Sequence, residues 1–140
     1  MDVINHLVSL RRHRWAQQLL ALQCVEIPAH VKIGDGFRLL HRGFGTVVHP
    51  DTVIGDNVTV FHGVTLGRAD AWKPKVDSLM EGIEIGDEAV LCAGAKILCK
   101  DGILRVGRGT VVAANAVLTQ STGEDEVWAG IPARKVAHRA

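Results

Sequence analysis

The sequence predicts a mainly β solenoid: a narrow triangular coil of short parallel strands, entered through a helical segment. Three observations predict it. An aliphatic anchor recurs every six residues, at Ile27, Ile33 and Leu39, then Val48, Ile54, Val60 and Leu66, then Ile85, Leu91 and Ile97, then Val106, Val112 and Leu118. The next residue is small or turn-forming in many units, as at Gly34, Gly55, Gly67, Gly86, Cys92, Gly107 and Ala113, and the residue four positions on is again small or branched, as at Val31, Thr52, Val58, Val64, Ala89, Ala95, Thr110 and Ala116. The composition is 47% hydrophobic but only 4% aromatic, with 15 glycines, so the core has to be aliphatic and the corners tight. A period of six fits neither a helix nor a hairpin series. It fits a coil in which each unit makes one side and three units close a turn. Each anchor then stacks on the anchor eighteen positions later, parallel pairing satisfies the backbone between coils, and glycine after the anchor permits a tight corner or close backbone approach. About four coils can be counted.

Taken in order, residues 1–25 form an N-terminal helical segment. Val3, Ile4, Leu7, Val8, Leu10, Trp15, Leu19, Leu20 and Leu22 fall at roughly helical spacing over residues 2 to about 23, and Asp2 is placed to cap the first turn. Arg11, Arg12, His13 and Arg14 give it a basic, solvated face, and the helix is expected to cover one open end of the prism. Residues 26–126 form the solenoid, and residues 127–140 a closing segment in which Trp128 packs down. The period slips by three residues at His41-Arg42-Gly43-Phe44-Gly45 and again at Cys99-Lys100-Asp101-Gly102. A longer surface excursion occupies about residues 68–84 and contains Trp72. Such excursions are where a regular scaffold carries function.

The net charge is +1, which gives no support to binding a nucleic-acid backbone. No run of about eighteen apolar residues exists, so no membrane span is expected, and the N-terminus lacks a basic-then-apolar leader pattern. Cys24, Cys92 and Cys99 form no CxxC pair and read as reduced, partly buried thiols of a cytoplasmic protein. Flat, weakly charged prism sides favour packing against copies of the same chain. Among the seven histidines, His41 stands out because it sits where the period slips, free of a coil wall. An imidazole there is matched to proton transfer at neutral pH. His49 and His62 lie on regular coil positions, and His62, in Phe-His-Gly-Val-Thr-Leu-Gly, is the better candidate for ligand contact.

The hexapeptide run with VTLG, AGAKIL and AGIPAR resembles the left-handed parallel β-helix acyltransferases, and within them the serine O-acetyltransferase family, over about Glu26 to Val136. The resemblance implies a left-handed parallel β-helix, an acetyl-CoA-dependent O-acetyltransferase activity and a homotrimer with no resident metal. It implies that His41 removes the proton from the acceptor hydroxyl, with Glu26, fifteen positions earlier, orienting the imidazole from near the same corner. A carboxylate on the far ring nitrogen fixes the tautomer and stabilises the imidazolium. It also implies that acetyl-CoA lies between two prisms against Gly67, Ala93 and Ala114, that Arg134 and Lys135 meet its phosphates, and that a backbone N–H near Gly67 stabilises the oxyanion.

The sequence departs from the serine enzymes in four places. Leu40 stands where they carry Asp before the histidine. Residues 68–84 contain no histidine to grip a substrate carboxylate. Arg68 replaces the second glycine after Thr-Leu-Gly. The N-terminal helical part is short. The acceptor is therefore either serine or a sugar or glycan hydroxyl. Two further readings are a silent trimeric binding module and a β-helix carbonic anhydrase. The latter needs a pair of histidines about five apart plus a third, and the sequence has no such pair.

Overall fold

The fold of residues 2–140 is given by a computed structural model. The helical segment is two helices, α1 (Val3–Ser9) and α2 (Arg14–Leu22), where the sequence pattern suggests one. The chain breaks at Leu10–His13 so that both helices lay an apolar face on the first coil: Ile4, Leu7 and Val8 from α1, Ala16 and Leu20 from α2. Side chains occupy the carbonyls around the break: Arg11 donates to the carbonyls of Val8 and Val31, and Gln17 to those of Arg11 and Ile27. Asp2 caps α1 as expected, accepting from the Asn5 N–H. Asn5 in turn exchanges two hydrogen bonds with the Leu39 backbone, which fastens α1 to the coil.

The remainder is a left-handed β-helix of three sheets. Sheet 1 holds β1 (Lys32–Ile33), β4 (Thr52–Ile54), β7 (Leu79–Ile85) and β10 (Asp101–Val106). Sheet 2 holds β2 (Arg38–Leu39), β5 (Thr59–Val60), β8 (Val90–Leu91) and β11 (Val111–Val112), then β13 (Glu126–Gly130) and β14 (Ala133–His138). Sheet 3 holds β3 (Val47–Val48), β6 (Thr65–Arg68), β9 (Lys96–Cys99) and β12 (Val117–Leu118). All pairings are parallel except β13 with β14. The predicted anchors form the interior columns: Ile33–Ile54–Ile85–Val106, Leu39–Val60–Leu91–Val112 and Val48–Leu66–Ile97–Leu118. Every anchor but the half-buried Ile33 is buried, as are all eight of the small or branched residues four positions on. Each such aliphatic side chain contributes roughly 1.5–3 kcal/mol on burial.

The stacking interval of eighteen holds only for Val48 on Leu66. Elsewhere the partners are 21 apart, as Leu39 with Val60, or 31 apart, as Val60 with Leu91, because each slip and the excursion add residues without moving the register. The excursion is shorter than residues 68–84, since β7 starts at Leu79 and runs on into the sheet 1 wall. Residues 69–78 are tied down by Asp70, which accepts from Ser78 and pairs with Arg68, while Arg68 also donates to the Lys73 carbonyl. Trp72 in that segment is exposed. The second slip hardly interrupts the walls, β9 ending at Cys99 and β10 starting at Asp101. The three cysteines are free; Cys24 is exposed rather than partly buried.

The corners explain the glycines. Most of those after the anchors are needed for space. A β-carbon at Gly34 would stand 2.1 Å from Asp56 Oδ1, and one at Gly107 2.0 Å from the Gly123 carbonyl oxygen. Left-handed backbone is supplied instead by a different column, Cys24–Gly45–Gly63–Gly94–Asn115, between sheets 2 and 3.

Candidate active site

The corner between sheets 2 and 3 brings most of the predicted residues together. Leu39, Val60, Leu91 and Val112 stack in register, and past the corner Phe44, His62, Ala93 and Ala114 stand in one line across four successive coils, with His41, in the slip, beside His62 at its first end. Turn hydrogen bonds fix that line: Gly63 N–H donates to Phe44 O at 2.7 Å, Gly94 N–H to His62 O at 3.0 Å, and Asn115 N–H to Ala93 O at 2.9 Å. With coils about 4.8 Å apart, the ridge from Phe44 to Ala114 is about 14 Å long.

His41 opens a single 3₁₀ turn, His41–Gly43, with both His41 (φ 53°) and Arg42 (φ 59°) in left-handed backbone. Gly43 is needed there, because a β-carbon would stand 2.3 Å from Leu39 Cδ2. The turn lifts the imidazole off the wall. Its ring lies edge-on to His62 at 5.4 Å between centroids and 5.7 Å from Phe61. His41, Arg42, Phe44 and His62 line an open cleft of about 420 Å³. Two other concavities exist, one of about 560 Å³ between the N-terminal helices and one of about 270 Å³ over sheet 1, and neither contains His41 or the alanines.

Glu26 lies beside the same corner. It bridges to Val47, and Cys24 O, two residues before it, accepts from the N–H of Gly45, the last residue of the slip. Glu26 and His41 are both exposed, and among the described residues no hydrogen bond joins them. Gly67 is not part of the ridge. It sits on β6, four residues past Gly63, roughly 13 Å along sheet 3. Thr65 N–H and Ala69 N–H both donate to the next coil, so by the alternation of a parallel ladder the Gly67 N–H is directed into the sheet too. His49 occupies that far corner, its Nδ1 accepting from the Asp51 N–H at 3.0 Å; burial pushes its pKa below the ordinary value, against a smaller upward pull from Asp51. The excursion leaves from the same far corner and does not cover His41.

Arg134 and Lys135 lie on β14, the outermost strand of sheet 2, beyond Ala114. Arg134 is exposed, with its guanidinium on the Ala133 carbonyl. Lys135 is engaged, 3.1 Å from Glu126. Sequence reasoning missed Arg42 and Phe44 as cleft residues, although both stand in the slip that singles out His41. Among the described residues no three His, Cys, Asp or Glu side chains converge to hold a metal ion, and no helix is long and apolar enough to cross a membrane.

A family model described as the hexapeptide repeat of succinyl-transferase matches residues 76–99. A serine acetyltransferase from Bacillus licheniformis is 39% identical over 112 residues, which are 80% of this chain and 48% of that protein. The structure of Brucella abortus strain S19 serine acetyltransferase in complex with coenzyme A superposes with a TM-score of 0.75 at 30% identity, over 98% of this chain and 53% of that one. Serine acetyltransferase from Neisseria gonorrhoeae in complex with serine superposes with a TM-score of 0.73 at 28% identity, over 88% and 47%. This chain is thus a hexapeptide-repeat protein of the left-handed β-helix class. Within that class it is related to the serine acetyltransferases, and it spans about half the length of the curated relatives it matches.

Proposed function

We propose that this chain is an acetyl-CoA-dependent O-acetyltransferase of the cytoplasm that transfers the acetyl group directly to an acceptor hydroxyl. The single observation that carries the reading is the ridge: His62 and then two alanines small enough for a thioester-bearing arm to lie against the backbone, with the exposed His41 imidazole beside His62 at one end and cationic β14 beyond the other. The relatives' names and the coenzyme A complex support the same chemistry.

In this reading His41 takes the hydroxyl proton as the acceptor oxygen attacks the thioester carbonyl. The tetrahedral intermediate collapses, the C–S bond breaks, and the leaving thiolate receives the proton back from the imidazolium. No covalent enzyme intermediate is needed. Glu26 orients the ring once the acceptor closes the corner. Ala93 and Ala114 line the pantetheine path, and Arg134 meets phosphate, with Lys135 joining it only by leaving Glu126. Gly67 would reach this centre across a subunit boundary, which fits assembly as a homotrimer with the cofactor between prisms. Serine is the acceptor the relatives suggest. A sugar hydroxyl is the second reading, favoured by Leu40 beside the base and by an excursion that lacks histidine and leaves from another corner.

The test is acetyl-CoA consumption with serine and a panel of sugars. Replacing His41 by Ala is expected to lower turnover at least about 10²-fold, while coenzyme A still raises the melting temperature by ligand linkage. Near-normal turnover in that variant ends the mechanism. Glu26→Gln is expected to cost less than His41→Ala; an unchanged rate removes Glu26 from it.

A further inference from the structure

The cleft beside His41 contains a cation for which acetyl transfer alone has no use. It is lined by His41, His62, Phe44 and Arg42, with no carboxylate-bearing residue, and Arg42 also borders the cavity between the N-terminal helices. Among the described residues Arg42 makes no ion pair and no side-chain hydrogen bond, whereas other arginines of the coil are occupied. Arg38 donates to Thr59 Oγ1, Arg68 lies against Asp70, and Arg105 pairs with Glu84. A lone surface arginine would ordinarily be a solvated charge, but two features set this one apart. It is the chain neighbour of the candidate base and opens into the same cleft. It also holds left-handed backbone (φ 59°), a conformation that the coil elsewhere gives mostly to glycine or asparagine, as at Gly36, Asn57, Gly63, Gly94 and Asn115, and otherwise to Cys24, Glu88 and Asp125. A long side chain kept where glycine would relieve the backbone points to work done by that side chain.

We infer that Arg42 is the acceptor-binding cation of this site: its guanidinium holds a carboxylate of the acceptor while His41 addresses the hydroxyl. A planar guanidinium grips a carboxylate through two parallel N–H donors, which fixes the orientation of a small molecule as well as its affinity. Leu40, on the other side of His41, adds no negative charge to repel such a group. The acceptor is therefore a hydroxylated carboxylic acid, a hydroxy-amino acid or an acidic sugar, and not a neutral sugar. This rests on the acetyl-transfer reading for the role of His41. The phosphates of coenzyme A suit the same guanidinium, so cofactor and acceptor are measured separately.

The experiment pairs each acid with its uncharged analogue, serine with serinamide and galacturonate with galactose. Each is titrated by calorimetry without acetyl-CoA and assayed for turnover with it, using the intact chain and its Arg42→Gln and Arg42→Lys variants. Melting curves establish that both variants fold. The expected result is binding and turnover that favour one of the acids. Arg42→Gln then raises the KM of that acid about tenfold, leaves its kcat and the KM of acetyl-CoA unchanged, and has no effect on the amide or neutral sugar. Arg42→Lys recovers part of the loss. Binding of the acid that depends on Arg42 without any turnover would uphold this inference and end the acetyl-transfer reading. Equal use of acid and neutral partner, a rise in the KM of acetyl-CoA alone, or no Arg42-dependent binding of any acid would overturn the inference, the first two leaving acetyl transfer intact.

Discussion

Glycine at position 67 is not demanded by the chain's own packing. Its β-carbon would meet only Thr65 Cγ2 at 3.7 Å and Leu98 Cδ2 at 3.8 Å, ordinary contacts, and it is not in left-handed backbone. Gly34, Gly55, Gly86 and Gly107, after equivalent anchors, would each clash below 3 Å. A residue that the fold leaves free to grow, yet keeps small, suits an external ligand or a neighbouring subunit. Gly67→Ala is therefore expected to melt within about 2 °C of the parent, since surface changes of this kind stay within about 0.5 kcal/mol. The same substitution should raise the KM of acetyl-CoA severalfold. Lost stability with unaltered kinetics would mean that Gly67 is structural after all. His41 and Arg42 present the opposite case, side chains retained in left-handed backbone where the site uses them. His41 was legible from the slip in the period. Arg42 was not, because nothing in a sequence tells which loop side chains share a cleft.

Glu126 is the residue that holds the closing element. It accepts from the Trp128 indole N–H at 2.8 Å and the Gly123 N–H at 2.8 Å, and it pairs with Lys135 across the β13–β14 hairpin. The Trp128 hydrogen bond first, then those from Gly123 and Lys135, hold its pKa below the ordinary value, against a smaller upward effect of burial. A carboxyl whose pKa is lower folded than unfolded adds stability above its ordinary value of about 4.3 and loses it as the pH falls through the folded value. Glu126→Gln is therefore expected to melt lower than the parent at pH 7, with the two melting curves converging as the pH drops below about 4. Curves that stay parallel would show that the charge of the Glu126 carboxylate adds nothing. Trp128 was legible as the residue that packs this segment. Its dependence on Glu126 was not, because the two join only once the hairpin closes. The helical entry followed the same logic. The apolar spacing announced helix, and the break at Leu10–His13 came from the shape of the coil end, which two short helices cover and one straight helix does not.

Across the whole molecule, the excursion leaves Trp72 and Val76 exposed at 79% and 89%, the start of β7 leaves Leu79 exposed at 73%, and the outward side of sheet 3 adds Val47. Together with Gly67 at the edge of sheet 3 remote from the His41 ridge, they fit a ring in which one prism's ridge faces its neighbour's sheet 3. Light scattering is expected to give a mass of about 45 kDa, three times the 15.1 kDa chain. A mass near 15 kDa would leave Gly67 without a role and end the interfacial cofactor site.

The sequence by itself determined the coil. A six-residue hydrophobic period admits one kind of wall, and twelve of the thirteen anchors it named are buried, Ile33 being half-buried. It also marked the first slip at His41–Gly45, because a slip in a strict period is visible without coordinates, whereas the excursion is shorter than the period suggests and the second slip hardly breaks the walls. Only the tertiary structure decided which interruptions meet. Each slip shifts the count between coils without shifting the register, so His62, Ala93 and Ala114 are 31 and 21 residues apart and still stand in one line, and His41, in the first slip, is brought to 5.4 Å from His62. The same geometry set Gly67 at the other edge of sheet 3 and put Arg42 in the cleft. Neighbour relations between coils are fixed by backbone hydrogen bonding across the stack, and no local spacing in the chain encodes them.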